Sequence, residues 1–131
     1  MKSKILVIDS DNSIHEIIEL FLSELNVEIY SAFNGKDGIL KYQEFMKKGE
    51  KIDLVITSYN LPDVNGVEIT SKILSMNKDA IILAFTATLD SELSEEFSRA
   101  GAKIALSKID GFPTLKETVK KILTGVEEEI Y

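Results

Sequence analysis

Five short apolar runs alternate along this chain with longer segments of helical periodicity, and this alternation limits the possible folds more than any other feature. The strand-like runs are Lys4 to Ile8, Val27 to Ser31, Ile52 to Thr57, Ala80 to Phe85 and Lys103 to Leu106. Apolar runs of this length, bounded by turn signals, are typical of buried strands. Their order predicts an α/β fold, a doubly wound five-stranded and mainly parallel sheet with five helices.

The first and last helical segments carry clear amphipathic stripes, with apolar residues recurring at i, i+3, i+4 and i+7. The stripes consist of Ile14, Ile17, Ile18, Phe21, Leu22 and Leu25, and of Leu115, Val119, Ile122 and Leu123. A chain of 131 residues that is 44% hydrophobic supplies one core but not two. We therefore predict one domain over residues 1–125, followed at 126–131 by an acidic tail or the start of a linker.

Composition excludes several classes of protein and ligand. No stretch approaches the roughly 20 consecutive apolar residues of a membrane span, and the N-terminus lacks a signal-peptide pattern, so we expect a cytoplasmic protein without membrane contact. Cysteine is absent, which excludes disulfides and thiolate metal sites. The net charge of −7 and the lack of a basic stripe oppose binding to nucleic acid.

Polar residues stand at the ends of four predicted strands. Asp9, Ser58, Thr86 and Lys108 each follow or end an apolar run. In an open parallel sheet, ligands gather beyond the carboxyl ends of the strands. We expect these four side chains to converge on one pocket.

The sequence around these strand ends resembles that of response regulator receiver domains. Residues 53–66, DLVITSYNLPDVNG, resemble the third strand of that family and the loop after it, with Leu61, Pro62 and Gly66 in their usual places. The opening KILVIDSDNSI resembles the first strand and its acidic corner. IILAFTA places Thr86 at the family's switch threonine, and GAKIALSK places Lys108 at its lysine. The resemblance covers nearly the whole chain and implies the CheY-like, or flavodoxin-like, form of the predicted fold.

Two positions depart from the family in a way that bears on its chemistry. Ser58 stands where the family has its phospho-acceptor aspartate, and Ser10 replaces the second carboxylate of the acidic corner. Transfer from a phosphohistidine requires an ionised oxygen and a divalent cation, and a serine hydroxyl supplies neither. Magnesium prefers carboxylates, and only Asp9 and the Asn60 carbonyl remain as weak candidate ligands. The resemblance thus implies an atypical member, a pseudo-receiver without enzymatic activity or cofactor, in which magnesium binds weakly or not at all and Lys108 pairs with Asp9.

The output side of the family also differs here. The family often has an aromatic residue three positions before the lysine, where this chain has Ala105, and a proline after the lysine, where it has Ile109. We expect the Lys108–Ile109 bond to be trans. The family's usual output and dimerisation face is formed by the fourth helix, fifth strand and fifth helix, and the corresponding candidates are Phe97, Ala105, Lys116 and Lys120. The implied partners are a histidine kinase, another regulator, an output domain or a second copy of the chain.

Other interpretations of the same residues remain open. Asp11 is the plausible substitute acceptor if phosphorylation persists, since Asp53 and Asp63 should not reach Lys108. Asp9 and Asp11 also resemble the Asp-x-Asp motif of haloacid-dehalogenase-type phosphatases, in which the first Asp attacks phosphate and the second acts as general acid. Ser58 can serve as a small hydrogen-bonding filler, and Thr86 as a strand-end residue that satisfies a backbone group. His15 lies beside the apolar stripe of its helix, which predicts a surface histidine.

Overall fold

The computed structural model describes residues 2–125, so the prediction of a tail or linker at 126–131 lies outside the described residues. The strands are β1 (Ser3–Ile8), β2 (Val27–Ala32), β3 (Leu54–Thr57), β4 (Ile82–Thr86) and β5 (Ile104–Ser107). The helices are α1 (Asn12–Leu22), α2 (Gly35–Lys47), α3 (Gly66–Met76), α4 (Ser91–Ala100) and α5 (Phe112–Thr124), and a 3-10 turn covers Lys108–Asp110.

The strands form one parallel sheet in the order β2-β1-β3-β4-β5, which confirms the predicted doubly wound fold. In this order the strands are added towards one edge of the sheet from β1 to β2 and towards the other edge from β3 onward, so the topological switch point lies between β1 and β3. All five predicted strands are present, but β3 and β4 begin two residues later than their apolar runs. The first pair of the β1–β3 ladder is Ile5 with Leu54, so Ile52 is a core residue outside the strand.

The sheet is buried on both faces, and alternate residues of β1 show how. Ile5 and Val7 belong to the core that also holds Leu22 of α1 and Val119 of α5. The other face carries the core of α2 and α3, with Leu6, Ile8, Tyr42, Ile69 and Ile73 among its buried members. Each such fully buried aliphatic side chain contributes about 1.5–3 kcal/mol to folding. Two apolar layers therefore hold the carboxyl ends of the strands in register.

No helix among the described residues is long and apolar enough to cross a bilayer.

Candidate functional site

Three of the four predicted pocket residues are buried at the carboxyl edge of the sheet. Asp9 and Ser58 are each 4% exposed and Thr86 is 1% exposed. The pairing of Ile8 with Thr57 places Asp9 beside Ser58, and the pairing of Thr86 with Ser107 brings Lys108 to the same edge. The convergence expected from the strand ends is thus present.

The Asp9 carboxylate is fully engaged within the chain. Its Oδ2 accepts a hydrogen bond from Lys108 Nζ at 2.8 Å, and its Oδ1 accepts one from the backbone N–H of Asp11 at 2.9 Å. The two side chains of the ion pair are 6% and 20% exposed. The ion pair expected from the sequence is therefore formed, largely shielded from water, with additional hydrogen bonding to the carboxylate.

Ser58 and Thr86 also satisfy groups of the chain itself. Ser58 Oγ donates to the carbonyl oxygen of Asn60 at 3.4 Å, and its backbone N–H donates to Ile8 at 3.0 Å. Thr86 Oγ1 accepts the N–H of Tyr59 at 3.3 Å, across 27 residues of sequence. Throughout the described residues, no buried side-chain nitrogen or oxygen lacks a hydrogen-bond partner. Ser58 as a filler and Thr86 as a partner of a backbone group both agree with this geometry.

The residues at this edge do not form a donor set suited to magnesium. Magnesium is usually held by one or two carboxylates together with waters. Among the four predicted pocket residues Asp9 is the one carboxylate, and it is already bonded to Lys108. Ser10 is exposed, and the Asn60 carbonyl accepts from Ser58. Within residues 2–125, no group of three or more His, Cys, Asp or Glu side chains is placed to hold a metal ion.

The carboxylates of the three other acids near the strands accept hydrogen bonds from groups outside the set of four predicted pocket residues. Asp11 is exposed and caps α1, where its carboxylate accepts from the N–H and the hydroxyl of Ser13 at 2.9 and 2.7 Å. The Ser13 hydroxyl is the main cause of the lowered pKa of Asp11. Asp53 bonds the N–H of Lys4 at the opposite end of β3. Asp63 binds the start of α2 through the N–H groups of Gly35 and Lys36.

His15 is 3% exposed, so the prediction of a surface histidine is wrong. Its Nε2 lies 2.7 Å from the Asp9 carbonyl oxygen, and its Nδ1 lies 2.9 Å from Ser31 Oγ. A carbonyl oxygen only accepts, so Nε2 carries a proton. The ring lies against Phe33, with centroids 4.4 Å apart. His15 therefore joins α1 to the ends of β1 and β2, a contact that helical periodicity does not reveal.

The output-face candidates occupy different environments. Phe97 is 0% exposed, so the interpretation of this residue as a surface contact is wrong; its ring meets Tyr59 edge-on at 6.2 Å. Ala105 lines a groove of about 250 Å³ between α4 and β5. Lys116 is paired at 2.6 Å with Glu24 of the connection between α1 and β2, whereas Lys120 is exposed on α5. The described residues contain no cis peptide bond, in agreement with the expected trans Lys108–Ile109 bond.

Known proteins resemble this chain over most of its length. The family model of the response regulator receiver domain matches residues 5–120. The transcriptional regulatory protein ZraR of Salmonella typhimurium is 29% identical over 127 residues, which are 97% of this chain and 28% of that protein. Sporulation initiation phosphotransferase F of Bacillus subtilis is 26% identical over 124 residues, which are 94% of this chain and 95% of that protein. The chain thus spans little more than a quarter of the ZraR length.

Solved structures share the architecture. A chain of the CheX-CheY-BeF3-Mg complex from Borrelia burgdorferi matches with a TM-score of 0.84 at 19% identity, covering 92% of this chain and 89% of that one. The BeF3-activated DrrB receiver domain matches with a TM-score of 0.80 at 26% identity, covering 95% and 99%. The first of these, at its low identity, bears on the fold alone.

Proposed function

This chain belongs to the response regulator receiver domain family, and from that premise we propose that it is an atypical receiver that signals through protein–protein contacts instead of aspartyl phosphorylation. Receiver domains act in two-component signalling, where they interact with histidine kinases and other signalling proteins. The chain keeps the family's role as a recognition module but lacks its covalent phosphoryl chemistry. The domain then acts as a binding partner and not as an enzyme.

The observation that carries the proposal is the state of the acceptor position. Ser58 stands there with its hydroxyl directed to the Asn60 carbonyl, beside an Asp9 carboxylate that is bonded to Lys108. An unionised hydroxyl is a weak nucleophile unless a base activates it. Asp9 is the carboxylate that lies beside it, and both of its oxygens already accept hydrogen bonds. Phosphoryl transfer to Ser58 is therefore poorly supported, and magnesium binding is expected to be weak or absent.

The partner surface is proposed by analogy with the family. The face formed by α4, β5 and α5 carries the groove beside Ala105 and the exposed Lys120. A histidine kinase, another regulator, an output domain or a second copy of this chain fits this role. Because the net charge is −7, we do not expect nucleic acid among the direct ligands.

A backbone amide spectrum titrated with magnesium and then with beryllofluoride tests the proposal. We expect the signals of Ser58, Thr86 and Lys108 to stay in place. The matched control is the double variant Ser10→Asp/Ser58→Asp, which regains both carboxylates and is expected to respond. Specific shifts in the unsubstituted chain, running from the pocket to α5, would show that ligand-driven switching survives and would overturn the proposal.

Mass spectrometry after treatment with acetyl phosphate tests the remaining acid. Asp11 is exposed, and its carboxylate caps α1 by accepting hydrogen bonds from the N–H and the hydroxyl of Ser13. We expect no labile adduct at this residue. An adduct that disappears in Asp11→Asn would instead assign phosphorylation to Asp11.

A further inference from the structure

We infer that the β3–α3 loop, residues 58–65, is held in one conformation by a double clamp formed within the chain, so that this edge of the sheet is a fixed surface. The first clamp consists of the hydrogen bonds that Asp63 accepts from the first N–H groups of α2. The second is the hydrogen bond that the Thr86 hydroxyl accepts from the N–H of Tyr59. The inference rests on the proposed function, because a partner-binding module without a phosphoryl ligand needs a surface that is already ordered.

The Asp63 clamp uses backbone groups that α2 cannot satisfy itself. The first N–H groups of a helix have no intrahelical acceptor. The cap residue Asn34 accepts from the N–H of Asp37, which leaves the N–H groups of Gly35 and Lys36. Asp63 Oδ1 and Oδ2 accept these two at 2.8 Å each, and Oδ1 also accepts the N–H of Val64 at 2.8 Å. Such charge-assisted bonds are roughly twice as strong as neutral ones.

Apolar packing reinforces this clamp. Leu61 and Val64 pack against the core that lies under α2 and α3. The start of α2 approaches the loop so closely that a Cβ placed on Gly35 would lie 2.3 Å from Val64 Cγ2. Moving the loop away from α2 would therefore expose apolar surface as well as break the two hydrogen bonds from Gly35 and Lys36 to Asp63.

The Thr86 clamp fixes the other end of the loop. The Thr86 hydroxyl, at the last residue of β4, accepts the N–H of Tyr59, and the carbonyl of Tyr59 accepts the N–H of Gly66 at 2.9 Å. Both backbone groups of Tyr59 are thereby paired. A Cβ on Gly66 would lie 2.0 Å from the carbonyl oxygen of Ser58, so the start of α3 sits directly against the loop.

These contacts connect the loop to three neighbouring elements, although the bonds from Lys36 and Val64 to Asp63 lie at the surface. Segments that move in allostery come from the low-stability end of a structure, with few buried contacts and exposed backbone hydrogen bonds. The β3–α3 loop is joined to α2 by Asp63, to β4 by Thr86 and to α3 by Gly66, with no ligand needed for any of these contacts. The loop therefore presents Tyr59, Asn60 and Pro62 in a single arrangement.

Amide hydrogen exchange and relaxation dispersion on the full chain, without phosphoryl donor or mimic, test the clamp. In the unsubstituted chain we expect slow exchange at Gly35, Lys36 and Tyr59, and no dispersion in residues 58–65. Asp63→Ala should raise the exchange rates of Gly35 and Lys36 at least tenfold. Its matched control is Asp37→Ala, which removes a carboxylate from the same helical turn that bonds Asn34 and no loop residue.

The second clamp has its own pair of variants. Thr86→Val removes the acceptor and should speed exchange at Tyr59 at least tenfold, whereas Thr86→Ser keeps a hydroxyl and should not. If Asp63→Ala does not fold, Asp63→Asn is the alternative, because it retains one acceptor oxygen. It should give exchange rates at Gly35 and Lys36 between those of the unsubstituted chain and those of unprotected amides.

The inference is overturned if the unsubstituted loop shows dispersion, or if the Asp63 and Thr86 variants exchange like their controls. Neither outcome depends on the magnesium and beryllofluoride titration. A mobile loop in a chain that still ignores beryllofluoride would refute the clamp and leave the proposed function standing.

Discussion

Replacing Lys108 with methionine removes the cation that the Asp9 carboxylate bonds in the native fold. Asp9 is only 4% exposed, so its charge then stays buried and unpaired. At the 2.8 Å separation of the pair, the Coulomb attraction is about 6 kcal/mol at an effective dielectric of about 20. Much of that attraction offsets the cost of removing both charges from water. Removing one partner of a buried pair nevertheless costs about 3–5 kcal/mol, because the other charge stays buried. Since the lysine side chain is 20% exposed, we expect the lower end, about 3 kcal/mol.

For a chain of this length, such a loss corresponds to a fall in melting temperature of about 10 °C. The measurement is denaturant unfolding followed by far-UV circular dichroism, which suits a chain without tryptophan. Lys120→Met, on the exposed face of α5, serves as the control and should stay within about 0.5 kcal/mol. The double variant Asp9→Asn/Lys108→Met should recover more than half of the loss, because no charge is then left unpaired. A single-variant loss below about 1 kcal/mol, or a double variant no more stable than the single, would refute this account of the pair.

Three further predictions concern the acids and the core. The hydrogen bond from the backbone N–H of Lys36 is the main cause of the lowered pKa of Asp63 in the folded state. The Asp63 carboxylate therefore stabilises the fold fully above the unfolded carboxyl pKa of about 3.9. This contribution is lost as the pH falls through the lowered pKa of the folded state. Asp63→Asn should therefore be less sensitive to acid in circular dichroism titrations, and parallel curves would contradict this. Ser10→Asp/Ser58→Asp should lower metal-free stability and recover it in magnesium, because two carboxylates about 5 Å apart repel by roughly 3 kcal/mol at an effective dielectric near 20. An unchanged melting temperature without metal would argue against crowding of the carboxylates. Phe97→Ala should cost about 3–5 kcal/mol without changing the partner affinity of the folded fraction, and a weakened affinity at intact stability would restore Phe97 as a contact.

The fold could be predicted from the sequence because its signals are local and repeated. Each strand is a compact apolar run, and the helices that cover the sheet carry stripes of period 3.6. Boundaries were less predictable: Ile52 and Ala80 are apolar for packing reasons, yet the strands begin at Leu54 and Ile82. Hydrophobicity reports burial, whereas a strand begins where its ladder begins.

In the candidate site, too, contacts that follow from local patterns could be predicted and the others could not. The meeting of Asp9 with Lys108 follows from strand ends in a parallel sheet, and position in the chain is enough to predict it. The contact of Asp63 with Gly35 joins a loop to the start of a helix 28 residues away in sequence, and no spacing or periodicity signals it. Analogy with the family predicts Phe97 as a surface contact, but its side chain is buried and its ring meets that of Tyr59 edge-on. Such contacts depend on how helices settle on the sheet, which local patterns do not encode.

The burial of His15 makes the chain's single histidine a chemical reporter of its integrity. Both ring nitrogens are occupied, by the Asp9 carbonyl and by Ser31, and the ring is covered by Phe33. An acylating reagent for imidazole reaches this ring only after the contacts with Asp9, Ser31 or Phe33 have opened. The rate at which His15 is acylated therefore reports how often this part of the molecule opens. Because the chain has a single histidine, the measurement needs no label or engineered residue.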